Sequence, residues 1–248
     1  MPVDLGRYYP EEYYALPTRH ELDGAANGEA PRLALLRPFA ADGPLVEVGA
    51  GLGIFSRAAR SAGYEVTAIE MDARCCEYLE HVVGVRTICS DAPERALVDV
   101  GPSRAIVLWH VLEHLARPWE VLERAAECLG LGGVIALATP NPDSLQFHLL
   151  AGRWAHLDAP RHLFLIPFAA LKAHMNNLGF DVASVTTSDP AGRHWNSFGW
   201  EYALRRHPSR RPSTRLTRIG SRLLADGLAP LERRGMNGTA YTAVFVKR

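Results

Sequence analysis

Glu47-Val48-Gly49-Ala50-Gly51-Leu52-Gly53 follows directly on the apolar pair Leu45-Val46. A strand that runs into alternating glycines lets a nucleoside cofactor lie against the backbone, because glycine has no Cβ to hold it off. The helix expected next, from about Ile54 to Ser61, offers unpaired N–H groups at its start. A second strand-like run, Glu65–Ile69, leads into Glu70. That acid stands about 20 residues past the glycines, where a ribose-binding carboxylate belongs. A tight strand-to-helix turn without a ligand gives no reason for an acid at position 70.

The dinucleotide fingerprint G-x-G-x-x-G would need glycine at position 54. This chain has Ile54 there, and its third glycine comes one residue early, at Gly53. Glu47 would also repel a pyrophosphate, whereas a cofactor carrying an ammonium and a sulfonium would tolerate it. The pattern resembles motif I of class I S-adenosylmethionine-dependent methyltransferases. A nicotinamide-dependent oxidoreductase on a Rossmann sheet is the alternative from a different class.

The 248 residues suit one α/β domain with appendages, and a hydrophobic fraction of 48% is ample for one core. The formal charge of zero gives no global field toward nucleic acid or membrane. No apolar run reaches the length of a membrane span. Met1-Pro2-Val3-Asp4 lacks the parts of a secretion signal, so a cytoplasmic location is expected. Cys75, Cys76, Cys89 and Cys128 show no CxxC spacing and read as reduced thiols, with Cys75 and Cys76 on different helix faces.

Strand candidates are Leu45–Val48, Glu65–Ile69, Val85–Cys89, Ala105–Leu108 and Val134–Ala138. Helical windows near Ile54–Ser61, Ala73–Val82 and Trp119–Cys128 separate them, which indicates a parallel sheet covered on both faces. Residues 1–28 read as aromatic and irregular, with Tyr8, Tyr9, Tyr13 and Tyr14, and Pro31–Phe39 as a helix. Gly130, Gly132 and Gly133 read as ending a helix and turning into the fifth strand. Pro167–Leu178 is a further helix, Phe180–Thr187 a sixth strand and Ala240–Val246 a seventh.

Between strands six and seven lies an insertion rich in arginine: Arg205, Arg206, Arg210, Arg211, Arg215, Arg218 and Arg222. From Thr214 to Leu231, Leu216, Ile219, Leu223, Leu224 and Leu228 recur at helical spacing. Two readings stay open. One is an amphipathic helix packed on the domain with its arginines in water; the other is a surface or lid that meets a lipid-like or phosphate-bearing ligand.

Two further segments are similar to the ubiquinone-type O-methyltransferases and their relatives (the Methyltransf_23 group). The first is Leu108-Trp109-His110-Val111-Leu112-Glu113-His114-Leu115-Ala116-Arg117-Pro118. It contains H-x-x-E-H, a zinc-protease pattern, but it follows a strand of a nucleotide-binding sheet rather than lying in a peptidase helix. The second is Trp154-Ala155-His156-Leu157-Asp158-Ala159-Pro160-Arg161-His162-Leu163. The resemblance covers roughly residues 45–187.

The resemblance implies a Rossmann-like α/β sheet of seven strands, the last antiparallel, with an N-terminal aromatic segment and a helical insertion. The corresponding division of the single domain 1–248 is a cap over 1–43, a cofactor-binding core over 44–187, the insertion over 188–237 and the last strand over 238–248. It implies S-adenosyl-L-methionine as cofactor. Gly49, Gly51 and Gly53 would approach its methionine part, with Glu47 and the Trp109 carbonyl near the ammonium. Glu70 would accept from the ribose hydroxyls, Met71 cover one adenine face, Asp91 accept from the adenine amino group and the Ala92 N–H donate to the ring. Asp91 also reads as a helix N-cap before Pro93.

A histidine near neutral pKa can take a proton from a hydroxyl as a methyl group arrives. His162 leads as that base, with His156 and His114 behind it, and Asp158 would orient a histidine or pair with Arg161. In some members of the group the Glu-His pair binds a divalent metal; no metal is expected here. The expectation is methyl transfer to a small or lipid-like acceptor at oxygen, without nucleic acid. N- or C-methylation and a cofactor-binding but inactive partner protein are the alternatives.

Overall fold

The computed structural model describes residues 14–188, 190–204 and 215–248, and of 190–193 and 216–218 only the helical backbone. Tyr8, Tyr9, Tyr13 and the arginines at 205, 206, 210 and 211 lie outside the described residues.

Seven strands form one sheet: β1 (Gly43–Val48), β2 (Tyr64–Glu70), β3 (Arg86–Cys89), β4 (Ser103–Trp109), β5 (Leu129–Pro140), β6 (Phe180–Thr186) and β7 (Ala240–Lys247). Their spatial order is β3-β2-β1-β4-β5-β7-β6. The first five run parallel, and β7 inserts antiparallel between β5 and β6. The order reverses between β1 and β4, so a crevice opens at their carboxyl ends, where ligands bind in open α/β sheets.

Side-chain alternation sends Leu45, Ala68, Val107 and Ala136 to one face of the sheet and Val46, Ile69, Ile106 and Leu137 to the other. The first face is covered by α1 (Arg19–Ala26), α2 (Ala30–Leu36), α3 (Ile54–Ser61) and the turns from α4 (Ala73–Tyr78) to Val83. The second is covered by α5 (Pro93–Ala96), α6 (Pro118–Glu127) and α8 (Phe168–Asn177), after the short α7 (Leu145–Leu150). Strands buried on both faces account for the unbroken apolar runs.

Several expectations are corrected. Residues 14–18 are irregular as expected, but 19–28 are helical: Thr18 and Glu21 form a capping box that starts α1, with Thr18 N–H donating to Glu21 Oε2 at 2.8 Å. Gly130, Gly132 and Gly133 lie inside β5 rather than before it, because Leu129 already pairs with Ser103. Asp91 does not cap α5, whose N-cap position is Ala92 without a side-chain bond. Cys75 and Cys76 are both buried, and all four cysteines are free.

The insertion holds two helices, α9 (Pro190–Leu204) and α10 (Arg215–Glu232), packed on each other. A buried polar network fixes them to the sheet. Gln146 Nε2 donates to Asn196 O at 2.7 Å and to Glu232 Oε1 at 3.0 Å. Trp200 Nε1 donates to the same Glu232 oxygen at 2.9 Å, and Asn196 Oδ1 accepts from Thr239 N–H at 2.8 Å. Burial raises the Glu232 pKa, against these hydrogen bonds.

Among the described residues of the α10 apolar stripe, Leu228 is half-buried and the others face outward. Ser221, Ala225 and Glu232 are buried, while Ile219, Leu223 and Leu224 are exposed. Small side chains let two helices approach closely, so the larger leucines turn outward.

Candidate active site

A cleft of about 720 Å³ opens at the carboxyl ends of β1 and β4, within the usual size of a cofactor site. Glu70 is anchored there by three backbone N–H groups. Gly51 donates to Oε2 at 2.8 Å, and Met71 and Asp72 donate to Oε1 at 2.8 and 3.0 Å. Oε1 is filled by its two donors, while Oε2 keeps acceptor capacity for a further donor such as a ribose hydroxyl.

The three glycines divide by role. Gly49, at φ 70°, lines the cleft, and a Cβ there would stand 2.5 Å from Val111 Cγ2. Gly51, at φ 51°, also lines it, and its Cβ would meet Tyr14 Cε1 at 3.5 Å, an ordinary contact. Gly53 does not line the cleft. A Cβ there would stand 2.7 Å from Leu79 Cδ2 and 2.8 Å from Val83 Cγ2, so this glycine admits the packing of α3 against the Leu79–Val83 turn.

Glu47 is also off the cleft wall. Alternation along β1 points it, with Leu45, toward α3, where its Oε2 accepts from Ser56 Oγ at 2.5 Å. Burial pushes its pKa up to about 8, against the Ser56 hydrogen bond. Val48, the next residue, lines the cleft instead.

Met71, Ser90, Asp91 and Ala92 form the wall beyond Glu70. The Ala92 N–H donates to Ser90 Oγ at 3.1 Å, so it is already engaged within its own loop. Trp109 closes the other end, edge-on to Phe55, with the Arg32 guanidinium 4.7 Å from its ring centroid. Trp109 Nε1 and Arg32 Nε are buried donors with no acceptor among the described residues, although Arg32 itself does not line the cleft and its Nη1 donates to Glu29 Oε2 at 3.0 Å. Glycine backbone, an anchored carboxylate and the Trp109 donor fit a nucleoside cofactor that carries an amino-acid carboxylate.

The catalytic candidates meet beside this cleft. His110 and His114 line it; His162 and His156 do not. His110, a residue that sequence reasoning misses, holds the left-handed backbone at φ 56° at the end of β4. Its Nδ1 lies 3.6 Å from Oε1 of buried Glu113. Glu113 Oε2 accepts from Thr139 Oγ1 at 3.0 Å, and its backbone carbonyl accepts from Leu163 N–H at 2.8 Å. That carbonyl ties the two family segments together. Burial pulls the Glu113 pKa upward, but the nearby His110 and His114 rings hold it below the ordinary value.

His114 Nδ1 faces the Arg161 carbonyl at 3.0 Å, and His162 Nδ1 faces the His156 carbonyl at 2.8 Å. A carbonyl only accepts, so both rings carry their proton on Nδ1 and leave Nε2 as the acceptor. The two rings meet edge to face at 4.6 Å. Burial lowers the His114 pKa, with the nearby Glu113 charge opposing. His156 is buried between Trp154 and Trp195 with its pKa lowered to about 3, chiefly by burial, so it stays neutral and away from the cleft. Asp158 pairs with Arg161 at 2.6 Å rather than with a histidine. Glu113, His114 and His162 each bring a ligand atom within 4.8 Å of the others, a spacing that a divalent ion could also use.

Arg32 and Trp195 are further neighbours of the site that carry no local signal of it, whereas Tyr14 belongs to the tyrosine-rich start expected to close over the substrate. Tyr14 lines the cleft opposite Gly51, and Trp195 of α9 lies 5.7 Å from the His110 ring.

Comparison with known proteins gives the family and the fold. The Methyltransferase domain family matches residues 19–185. The Ubiquinone biosynthesis O-methyltransferase of Caulobacter vibrioides is 27% identical over 137 residues, 50% of this chain and 47% of that protein. Ribosomal RNA small subunit methyltransferase A of Brucella canis is 38% identical over 93 residues, 33% of this chain and 34% of that protein. The chain thus spans about half or less of the length of these curated relatives. A SAM dependent methyltransferase from Archaeoglobus fulgidus shares the fold at TM-score 0.60 and 18% identity, covering 97% of this chain and 99% of that one. The nicotinamide alternative falls with these matches: the chain belongs to the Methyltransferase domain family and shares the fold of S-adenosylmethionine-dependent methyltransferases.

Proposed function

We propose that the protein methylates a hydroxyl oxygen of a small or lipid-like acceptor, with His114 as the proton acceptor. The observation that carries this reading is the position of His114 on the cleft wall with its Nδ1 tied to the Arg161 carbonyl. That tie leaves Nε2 with a lone pair and fixes the ring plane. His162, edge-on behind it, supports the ring rather than facing the cleft. The likeness to an O-methyltransferase of ubiquinone biosynthesis supports oxygen as the acceptor atom.

S-adenosylmethionine supplies a methyl group already activated by its sulfonium. Glu70 would hold a ribose hydroxyl, Gly49 and Gly51 would let the methionine part lie on backbone, and Met71 and Asp91 would hold the adenine. Trp109 would offer its unsatisfied indole donor to the methionine carboxylate, with the Arg32 guanidinium over its ring adding positive charge nearby. The remaining work is alignment, exclusion of water and removal of the hydroxyl proton. The buried Glu113 carboxylate beside His110 and His114 would stabilise the charge that a protonated imidazole acquires.

The test uses isotopically labelled S-adenosylmethionine with the protein and a native cell extract. Label in a methyl ether or ester supports the reading. Label on nitrogen or carbon, or label on RNA, overturns it.

A further inference from the structure

The outward face of α10 calls for an occupant. Leu223 is 69% exposed and Ile219, one turn earlier, 48%. Leu224 and Leu204, the last residue of α9, are exposed beside them, and Leu204 Cδ1 stands 4.0 Å from the Cβ position of Gly220. Helix residues four apart share a face, so Ile219 and Leu223 form an apolar strip along α10. Arg215 and Arg222 are exposed next to it, and Asp226 is the exposed acid on the same helix.

The sequence of α10 adds charge to this picture: it carries Arg215, Arg218 and Arg222 with no acid before Asp226. An amphipathic helix with leucines outward and arginines flanking them is built to lie in a bilayer interface. Clusters of basic residues on such a helix recognise anionic lipid. No helix among the described residues is long and apolar enough to cross a membrane, so the contact would be peripheral.

We propose that α10, with the end of α9, docks the protein on an anionic lipid bilayer. A second copy of the chain is the competing occupant, but like charge on both copies opposes it, whereas anionic headgroups complement the arginines. α9 also connects this surface to the active site, since Trp195 near its other end lies against His110.

The experiment is flotation of the full chain with phosphatidylcholine vesicles, alone or with about one third phosphatidylglycerol. Binding is expected with the anionic vesicles and is expected to weaken as salt is added. Ile219→Glu with Leu223→Glu, and separately Arg215→Glu with Arg222→Glu, are expected to cut partitioning roughly tenfold or more. Calorimetric binding of S-adenosylhomocysteine should stay unchanged in both variants, which shows that they fold and separates this proposal from the methyltransferase assignment. No binding to anionic vesicles, equal binding to neutral ones, or wild-type binding by both variants overturns the proposal. So does a lipid-free dimer that Leu223→Glu dissolves, which would assign the face to a second copy.

Discussion

The Gly51 N–H donates to Glu70 Oε2 at 2.8 Å, so the glycine loop after β1 and the acid ending β2 are one device. With Met71 and Asp72 on the other oxygen, the carboxylate is oriented before any ligand arrives. Glu70→Gln would place an amide NH2 against backbone donors and lose acceptor capacity for ribose. One lost charge-assisted hydrogen bond at about 1.5 kcal/mol weakens S-adenosylhomocysteine binding roughly tenfold. Isothermal calorimetry measures this. Unchanged affinity would remove Glu70 from the cofactor site.

His114→Gln is expected to lower kcat by roughly 10²–10⁴-fold while cofactor affinity holds. Burial lowers the His114 pKa, so the wild-type rate should rise with pH along a limb below the ordinary imidazole value and then level. The variant should lose that limb. His162→Gln should cost less, because its ring stands behind His114. A variant at position 114 with wild-type turnover would sink the base. Glu113, already engaged by Thr139, completes a proton-transfer cluster with the two histidines, so chelator should leave methyl transfer unchanged. Loss of activity with chelator and recovery with magnesium or manganese would replace the base with a metal-assisted acceptor.

Glu47 predicts a stability effect independent of catalysis. Its folded pKa is about 8, above the 4.5 of an ordinary glutamate. Below that ordinary value both states are protonated, and the group makes no difference. Between the two values the folded state keeps a proton that the unfolded state has released, so stability falls as pH rises, on the order of 1.4 kcal/mol per unit. Above about 8 the loss levels off. Glu47→Gln should flatten this dependence, as read from urea midpoints across pH. An equally steep loss in the variant would show that other groups carry it.

What is legible in the sequence is local. Gly49, Gly51 and Glu70 declare themselves because a strand, a glycine loop and an acid at fixed spacing are seldom found together without a nucleoside between them. Glu47 belongs to the same motif but not to the cleft, and alternation along β1 already separates it from Val48, which faces the ligand site. Thr18 and Glu21 carry a capping signal that the aromatic composition around them obscures. The strip on α10 shows in the periodicity, but a helical wheel gives a face without saying which side meets the domain; small Ser221 and Ala225 decide that. Arg32 over Trp109 and the left-handed His110 depend on tertiary placement, which no local pattern announces.

The buried Trp109 donor and the Arg32 charge over its ring predict a carboxylate effect. Arg32→Met keeps much of the packing on Trp109 and removes the charge. It should weaken S-adenosylhomocysteine roughly tenfold by removing the positive charge near the carboxylate. An analogue without the carboxylate should bind wild type and variant alike. If the variant still prefers the carboxylate-bearing ligand by the wild-type margin, Arg32 is a packing residue.

The division among the glycines gives the sharpest contrast. At Gly53 an alanine meets two obstacles, a left-handed φ of 68° and a Cβ within 2.8 Å of both Leu79 and Val83. The left-handed backbone alone costs about 1–2 kcal/mol, and overpacking adds about 1–3 kcal/mol. Gly53→Ala should therefore lower Tm clearly, while the folded fraction binds S-adenosylhomocysteine with wild-type affinity, because this position does not line the cleft. Gly49→Ala strains the chain similarly and also places a methyl group on the cleft wall against Val111. It should lose both stability and affinity. Reduced affinity in Gly53→Ala with Tm intact would return this glycine to the cofactor site and make its packing against Leu79 and Val83 incidental.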